Sequence, residues 1–270
     1  MLKLMYITNK PDVAKIASDA GVDRIFVDLE SIGKSERQGG MDTVQSHHTV
    51  EDVRTIRSSF DGELLVRVNH IYDKSKEEID SVIDNGADIL MLPYFKTVNE
   101  AAKFIDIVNG RAKVNLLVET AEAVDKLDSI LDLDGIDEIH VGLNDLHLAY
   151  HRKFMFELLT DGTVEMIANK VHKKGIKFGF GGIARIGKGI VPAEKIIREH
   201  YRLGSTCAIL SRAFCNTDII TDLTEIRTVF NDGIIEIRRL EKEAGSHIDY
   251  FSRNRYDLKE SVNDFISHRQ

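Results

Sequence analysis

Charged residues recur in this chain directly behind short apolar runs. Asp28 and Glu30 follow RIFV, Arg67 sits within LLVRV, Glu119 follows VNLLV, Asp145 follows IHVGLN, and Arg212 follows AILS. Carboxylates hold a hard divalent cation through oxygen, and guanidinium groups grip carboxylate or phosphate oxygens in a planar fork. Each residue also has a plainer reading. Asp145 can cap the segment behind it, and Arg67 can simply pair with Asp28 or Glu30. Their joint occurrence beside apolar segments favours a site, because an unpaired charge near a core is costly. Other chemistries lack their residues. Neither a His-Glu-x-x-His pair nor a Gly-x-Ser-x-Gly elbow occurs, and Lys113, Lys177 and Lys96 stand at strand starts or past a strand end, which disfavours imine chemistry. The run GFGGIARIGKG, Gly179–Gly189, has the glycine content of a phosphate loop without the Walker spacing.

These residues need elements to hold them, and the chain alternates short apolar runs with amphipathic stretches throughout. Strands are expected at Leu4–Ile7, Arg24–Asp28, Leu64–Val68, Ile89–Leu92, Val114–Val118, Ile136–Val141, Lys177–Gly181 and Cys207–Leu210. Helices are expected at Asp12–Ala20, Val50–Ser58, Lys76–Asp84, Val98–Val108, Ala121–Leu131, Phe154–Lys174, Ala193–Leu203 and Ile219–Leu240. The strands are apolar at nearly every residue, as parallel strands covered on both faces must be. Eight such units in 270 residues predict a single-domain (β/α)8 TIM barrel over residues 1–245, with a C-terminal helical extension over 246–270. A doubly wound sheet would carry a glycine-rich turn after its first strand, and Thr8-Asn9-Lys10-Pro11 is no such turn. In a barrel the charged residues above fall at the C-terminal ends of strands, where barrel sites lie.

Composition narrows the partners. With 44 acidic against 36 basic side chains the formal charge is −8, which argues against nucleic acid. A run of about 18 uncharged apolar residues is missing, so no membrane span is expected. Asp12 arrives too early for a signal-peptide core, and two cysteines, Cys207 and Cys215, suit a reducing cytoplasm.

VRVN around Arg67, GADILMLP with Asp84 just before it, LLVETAEAVDKLDSIL with Glu119, and DEIHVGLNDL with Asp145 together resemble the HpcH/HpaI aldolase and citrate lyase beta-chain family. The resemblance runs from about Ile25 to Leu148, and more loosely to Ala213, and the two acids stand 26 residues apart. It implies that Glu119 and Asp145 hold Mg2+ or Mn2+, which a 2-oxo acid such as pyruvate chelates. Arg67 would then stabilise the enolate oxygen, and backbone around Gly142, Leu143 and Asn144 would receive the substrate carboxylate. Aldolases of the family use a histidine behind the second strand, oriented by an aspartate whose place Asp84 matches. Here Glu30 is followed instead by the loop SIGKSERQGGMDTVQSHH, so His47 or His48 would have to serve, or both are solvated loop residues. Arg185 and Arg212 would meet a phosphate or second carboxylate on the aldehyde partner, or are surface ion-pair residues.

The expected activity is therefore metal-dependent class II aldol cleavage of a hydroxylated 2-oxo acid. The long loop and the short connection behind Glu119 leave a CoA-thioester lyase, like malyl-CoA or citramalyl-CoA lyase, as the alternative. A non-catalytic barrel binding a sugar acid is the alternative of another class. The resemblance also implies a homo-oligomer, a trimer or hexamer.

Overall fold

A computed structural model of the chain describes residues 1–33, 47–244 and 249–268. Its strands are β1 (Lys3–Ile7), β2 (Arg24–Asp28), β3 (Glu63–Arg67), β4 (Ile89–Leu92), β5 (Lys113–Val118), β6 (Glu138–Val141), β7 (Lys177–Ile183) and β8 (Cys207–Leu210). They pair in sequence order, all parallel, and β8 returns to β1, so the sheet closes into the predicted eight-stranded barrel. Around it lie α1 (Pro11–Asp19), α2 (Val50–Arg57), α3 (Ser75–Asp84), α4 (Val98–Val108), α5 (Ala121–Asp125), α6 (Leu127–Leu131), α7 (Leu143–Ala149), α8 (Glu157–Thr160), α9 (Thr163–Lys173), α10 (Ala193–Arg202) and α11 (Leu223–Glu243). A last helix, α12 (Tyr250–Ser267), follows. Among the described residues no helix is long and apolar enough to cross a membrane.

The strand pattern divides the core into two. Outward residues such as Ile25, Val27, Leu64, Val66, Leu90 and Leu116 pack beneath the helices. Inward residues Met5, Phe26, Leu65, Ile89, Met91, Leu117 and Cys207 fill the barrel itself. Below that apolar plug the interior turns ionic. Arg24, with no exposed side-chain surface, forks onto Glu138 at 2.9 and 3.0 Å and reaches Glu63 at 3.0 Å. Glu63 also receives Lys3 and Lys113, each at 2.7 Å. Burial works against charge on Glu63, but the bonds from Lys113, Lys3 and Arg24 outweigh it and hold the carboxyl well below its usual range. The N-terminal end of the barrel is thus closed by paired charges, and the opposite end is left for a site.

Helix boundaries follow local chemistry more than periodicity. Thr49 and Thr97 make capping boxes with Asp52 and Glu100, which start α2 and α4 where expected. The expected single helix over Phe154–Lys174 is two, α8 and α9, because Gly162 adopts a left-handed φ of +92° before α9 begins. The Ala121–Leu131 helix likewise breaks at Lys126, and α11 begins at Leu223 behind the cap of Asp222. The turn Gly142–Asp145, expected as loop, opens α7.

The boundary expected at residues 245 and 246 lies outside the described residues, as does most of the long segment behind β2. Beyond it α12 folds back onto α10 and α8. Lys195 of α10 donates to Ser261 Oγ at 2.7 Å and to the Asp257 carbonyl at 2.9 Å, while Phe265 packs on Phe154 with ring centroids 4.2 Å apart. Replacing Arg24 tests the ionic floor, since it would leave Glu138 buried without its cation. R24M should lower the unfolding free energy by about 3–5 kcal/mol. Urea unfolding followed by circular dichroism measures it, and a loss under about 1 kcal/mol would show the network to be dispensable.

Candidate active site

The C-terminal ends of the strands surround a cavity of about 740 Å3. Asp28 ends β2 and stands in register with Arg67, which ends β3. Arg67 donates from Nε and Nη2 to the two oxygens of Asp28, both at 2.8 Å, and from Nη1 lies 3.3 Å from Glu30. Its guanidinium also stacks over Phe26, 5.7 Å from the ring centre. The plain pairing of Arg67 with Asp28 and Glu30 is therefore real, and it holds the guanidinium flat against the cavity wall.

Glu119 follows β5 and is buried. The Tyr94 N–H donates to its Oε1 at 2.9 Å, from a backbone in the left-handed region, φ +48°. Non-glycine residues seldom adopt that conformation, and here it aims an amide at a carboxylate. Gly142 presses from the other side, since a Cβ there would lie 2.5 Å from Glu119 Oε2. Asp145 stands in the first turn of α7, half-buried on the same cavity. Burial first, then the charges of Asp145 and Glu30, push the Glu119 carboxyl well above its usual range.

Other expected residues divide. His48 lines the cavity and accepts the Asp28 N–H at Nδ1 over 3.0 Å, so a neutral ring carries its proton on Nε2. His47 is exposed on the cavity rim, and Arg212 is exposed there too. Leu143 and Asn144 open α7 against the cavity, where the first amides of a helix lack intrahelical acceptors. The Gly142 N–H is already spent on the Val118 carbonyl, at 3.0 Å.

Two expectations are corrected. Asp84 is the exposed last residue of α3, the helix that returns the chain to the start of β4, so it stands at the opposite end of the barrel from the cavity. Arg185 leaves the cavity lining and lies over α11, its Cγ 3.7 Å from where a Cβ on Gly233 would stand. Residues the sequence did not single out also line the cavity. Lys10, behind β1, donates to the Thr217 carbonyl at 2.8 Å, and His140 sits on its floor. A wider depression of about 1100 Å3 at the other end is lined by Lys3, Glu63 and Lys113, already paired with one another, together with Arg57, Asp88 and Arg111.

The profile of the HpcH/HpaI aldolase/citrate lyase family matches residues 3–176, from β1 to the approach of β7. The chain belongs to that family. It is 27% identical over 165 residues to the 2-keto-3-deoxy-L-rhamnonate aldolases of Escherichia coli O17:K52:H18 and Shigella boydii serotype 4. The match covers 50% of this chain and 56% of each relative, so the chain spans about half the length of the curated relatives it matches. Among solved structures, the HpcH/HpaI aldolase of Desulfitobacterium hafniense superposes with a TM-score of 0.62 at 15% identity, covering 88% of this chain and 93% of that one. An HpcH/HpaI aldolase/citrate lyase family protein of Burkholderia cenocepacia gives 0.63 at 16%, covering 84% and 94%. At these identities the superpositions show a shared barrel.

For this HpcH/HpaI family member the donor set can be weighed directly. Asp28, Glu119, Asp145 and Asp218 line the cavity, and Arg67 contacts Asp28 and, behind it, Glu30. Glu119 and Asp145 repel one another, and a shared cation would relieve that repulsion. Among the described residues no cluster of three His, Cys, Asp or Glu side chains could hold a metal. Glu119 and Asp145 are the two carboxylates that would hold a hard divalent cation such as Mg2+ or Mn2+ through oxygen. Gly142 provides the test. Its φ of −82° tolerates alanine, yet the added methyl would displace the Glu119 carboxylate. G142A should stay folded and bind Mn2+ at least about tenfold more weakly by calorimetry, a change of about 1.4 kcal/mol. Unchanged Mn2+ affinity would remove Glu119 from the cation site.

Proposed function

We propose that this chain is a divalent-metal-dependent class II aldolase that makes or breaks a C–C bond through a pyruvate-type enolate, acting on a hydroxylated 2-oxo acid. One observation supports the reading above the others: Glu119 behind β5, Asp145 in the first turn of α7, Arg67 at the end of β3 and His48 before α2 line one cavity. Glu119 and Asp145 would hold the cation, whose Lewis acidity would polarise the 2-oxo group. The relatives named above are 2-keto-3-deoxy-L-rhamnonate aldolases, whose name places them among enzymes of 2-oxo sugar acids.

Each residue then has a task set by its contacts. Arg67 cannot lose its proton, and its bonds to Asp28 and Glu30 keep the guanidinium at a fixed place beside developing oxyanion charge. Preorganisation matters here because a donor already oriented needs no rearrangement as charge grows. His48 stands at the cavity with its Nδ1 accepting the Asp28 N–H, so that Nε2–H is the donor the neutral ring presents, and the ring takes up a proton only by releasing that bond. The amides of Leu143 and Asn144 suit the substrate carboxylate. Arg212 and Lys10 supply positive charge at the rim for the far end of an acidic substrate.

The decisive measurement is exchange of the pyruvate methyl protons with D2O, followed by proton NMR. Exchange should need Mg2+ or Mn2+, stop on chelation, and fall by at least about 10³-fold in E119Q, about 4 kcal/mol of lost stabilisation. H48N should lose exchange while binding Mn2+ normally. A folded wild-type protein that binds Mn2+ but exchanges neither pyruvate nor a related 2-oxo acid would be a binding barrel instead. Release of acetyl-CoA from acyl-CoA substrates, with no pyruvate from hydroxy-oxo acids, would move it to the thioester lyases.

A further inference from the structure

His140 is an anomaly of the barrel interior. It lies on β6, opposite Leu117 on one side and Gly179 on the other, two residues before Gly142 and so one layer below the carboxylates. Its inward neighbours are Met5, Phe26, Met91, Leu117 and Cys207, an apolar layer that a phenylalanine or leucine would complete without penalty. The ring is 1% exposed. Its Nδ1 stands 3.9 Å from Cys207 Sγ, a weak contact at most, and its Nε2 is buried with no hydrogen-bond partner. Leaving such an atom unsatisfied costs about 1–3 kcal/mol. The chain has made room for it, because a Cβ on Gly179 would lie 2.8 Å from His140 Nδ1 and 2.5 Å from Cys207 Sγ. Burial pushes the imidazole down to about 4, so the ring is neutral and offers hydrogen bonding without charge. His140 also lines the cavity that holds Glu119 and Asp145.

We propose that His140 is a substrate contact, its Nε2 forming a hydrogen bond from the cavity floor to an oxygen of the bound 2-oxo acid, directly or through one water. The proposal rests on the reading of this cavity as a 2-oxo-acid site. It assigns His140 to ligand recognition and leaves cation binding to the carboxylates one layer above. A neutral partner on the floor selects for a ligand with a polar atom at that depth and against an apolar branch there. Direct and water-bridged contact differ in one respect: only the bridged form tolerates a side chain of altered length.

Calorimetric titration of pyruvate into the Mn2+-loaded protein tests it. H140F should weaken pyruvate about tenfold or more, with Mn2+ affinity within about twofold of wild type. H140Q, which keeps a polar end, should recover most of the pyruvate affinity if a water bridges and little of it if the contact is direct. In the exchange assay the half-saturating pyruvate concentration should rise in H140F while the saturated rate changes little, a split that general loosening of the barrel would not produce. H140L serves as the second variant without a polar atom. Wild-type pyruvate affinity in whichever of H140F and H140L folds would overturn the assignment. Wild-type protein that binds Mn2+ but no 2-oxo acid would instead overturn the reading on which it rests.

Discussion

The contact on which the cavity depends is the fork of Arg67 onto Asp28, two hydrogen bonds of 2.8 Å between the last residues of adjacent strands. It is a pair whose partners are nearly dry, and such pairs hold only when geometry is good on both sides. The parallel register of β2 and β3 supplies that geometry, because it sets the two residues opposite one another. Asp28 and Glu30 are matched by the guanidinium, while Glu119 stands buried beside Asp145 on the same cavity, its carboxyl pushed up by burial and by that neighbour.

The two ends of the barrel solve the same problem in opposite ways. At the N-terminal end Arg24, Glu63, Glu138, Lys3 and Lys113 pair with one another. At the C-terminal end Arg67 meets Asp28 and Glu30, and Glu119 and Asp145 share the cavity beside them. Between them lies an apolar layer that includes Cys207 and that His140 interrupts. Space in the upper half comes from missing side chains, at Gly142 against Glu119 and at Gly179 against His140.

Much of this was legible in the sequence, and the reasons are particular. The strands were readable because β4 is apolar and buried at every residue and β2 carries a buried apolar centre, Ile25–Val27, between its charged ends. Glu119 and Asp145 were readable because strand ends in a barrel face one another however far apart they lie in the chain. Asp84 misled because matching a position along the chain ignores which end of the barrel a helix terminus occupies. Arg185 misled because a side chain behind a strand can pack on a neighbouring helix, as this one does on α11, without lining the cavity. His140 gave no signal, since a histidine inside an apolar strand reads as core until its unpartnered nitrogen is seen. The Tyr94 amide was equally silent, because a backbone donor carries no residue type.

The segment outside the eightfold repeat reaches the cavity as well. Met155 and Phe156, in the stretch before α8, form part of the cavity wall. Phe156 packs edge-on against Phe154, with ring centres 5.2 Å apart, and Phe154 packs on Phe265 of α12. The same helix grips α10 through Lys195 and Asn254, and α10 brings Ala193 and Ile196 to the cavity from the other side. Two walls of one cavity are therefore braced by a single helix beyond the barrel. Loops over a barrel mouth are mobile unless something holds them, and α12 holds two of them at once. The C-terminal extension is thus part of the machinery that shapes the cavity, although none of its own side chains enters it.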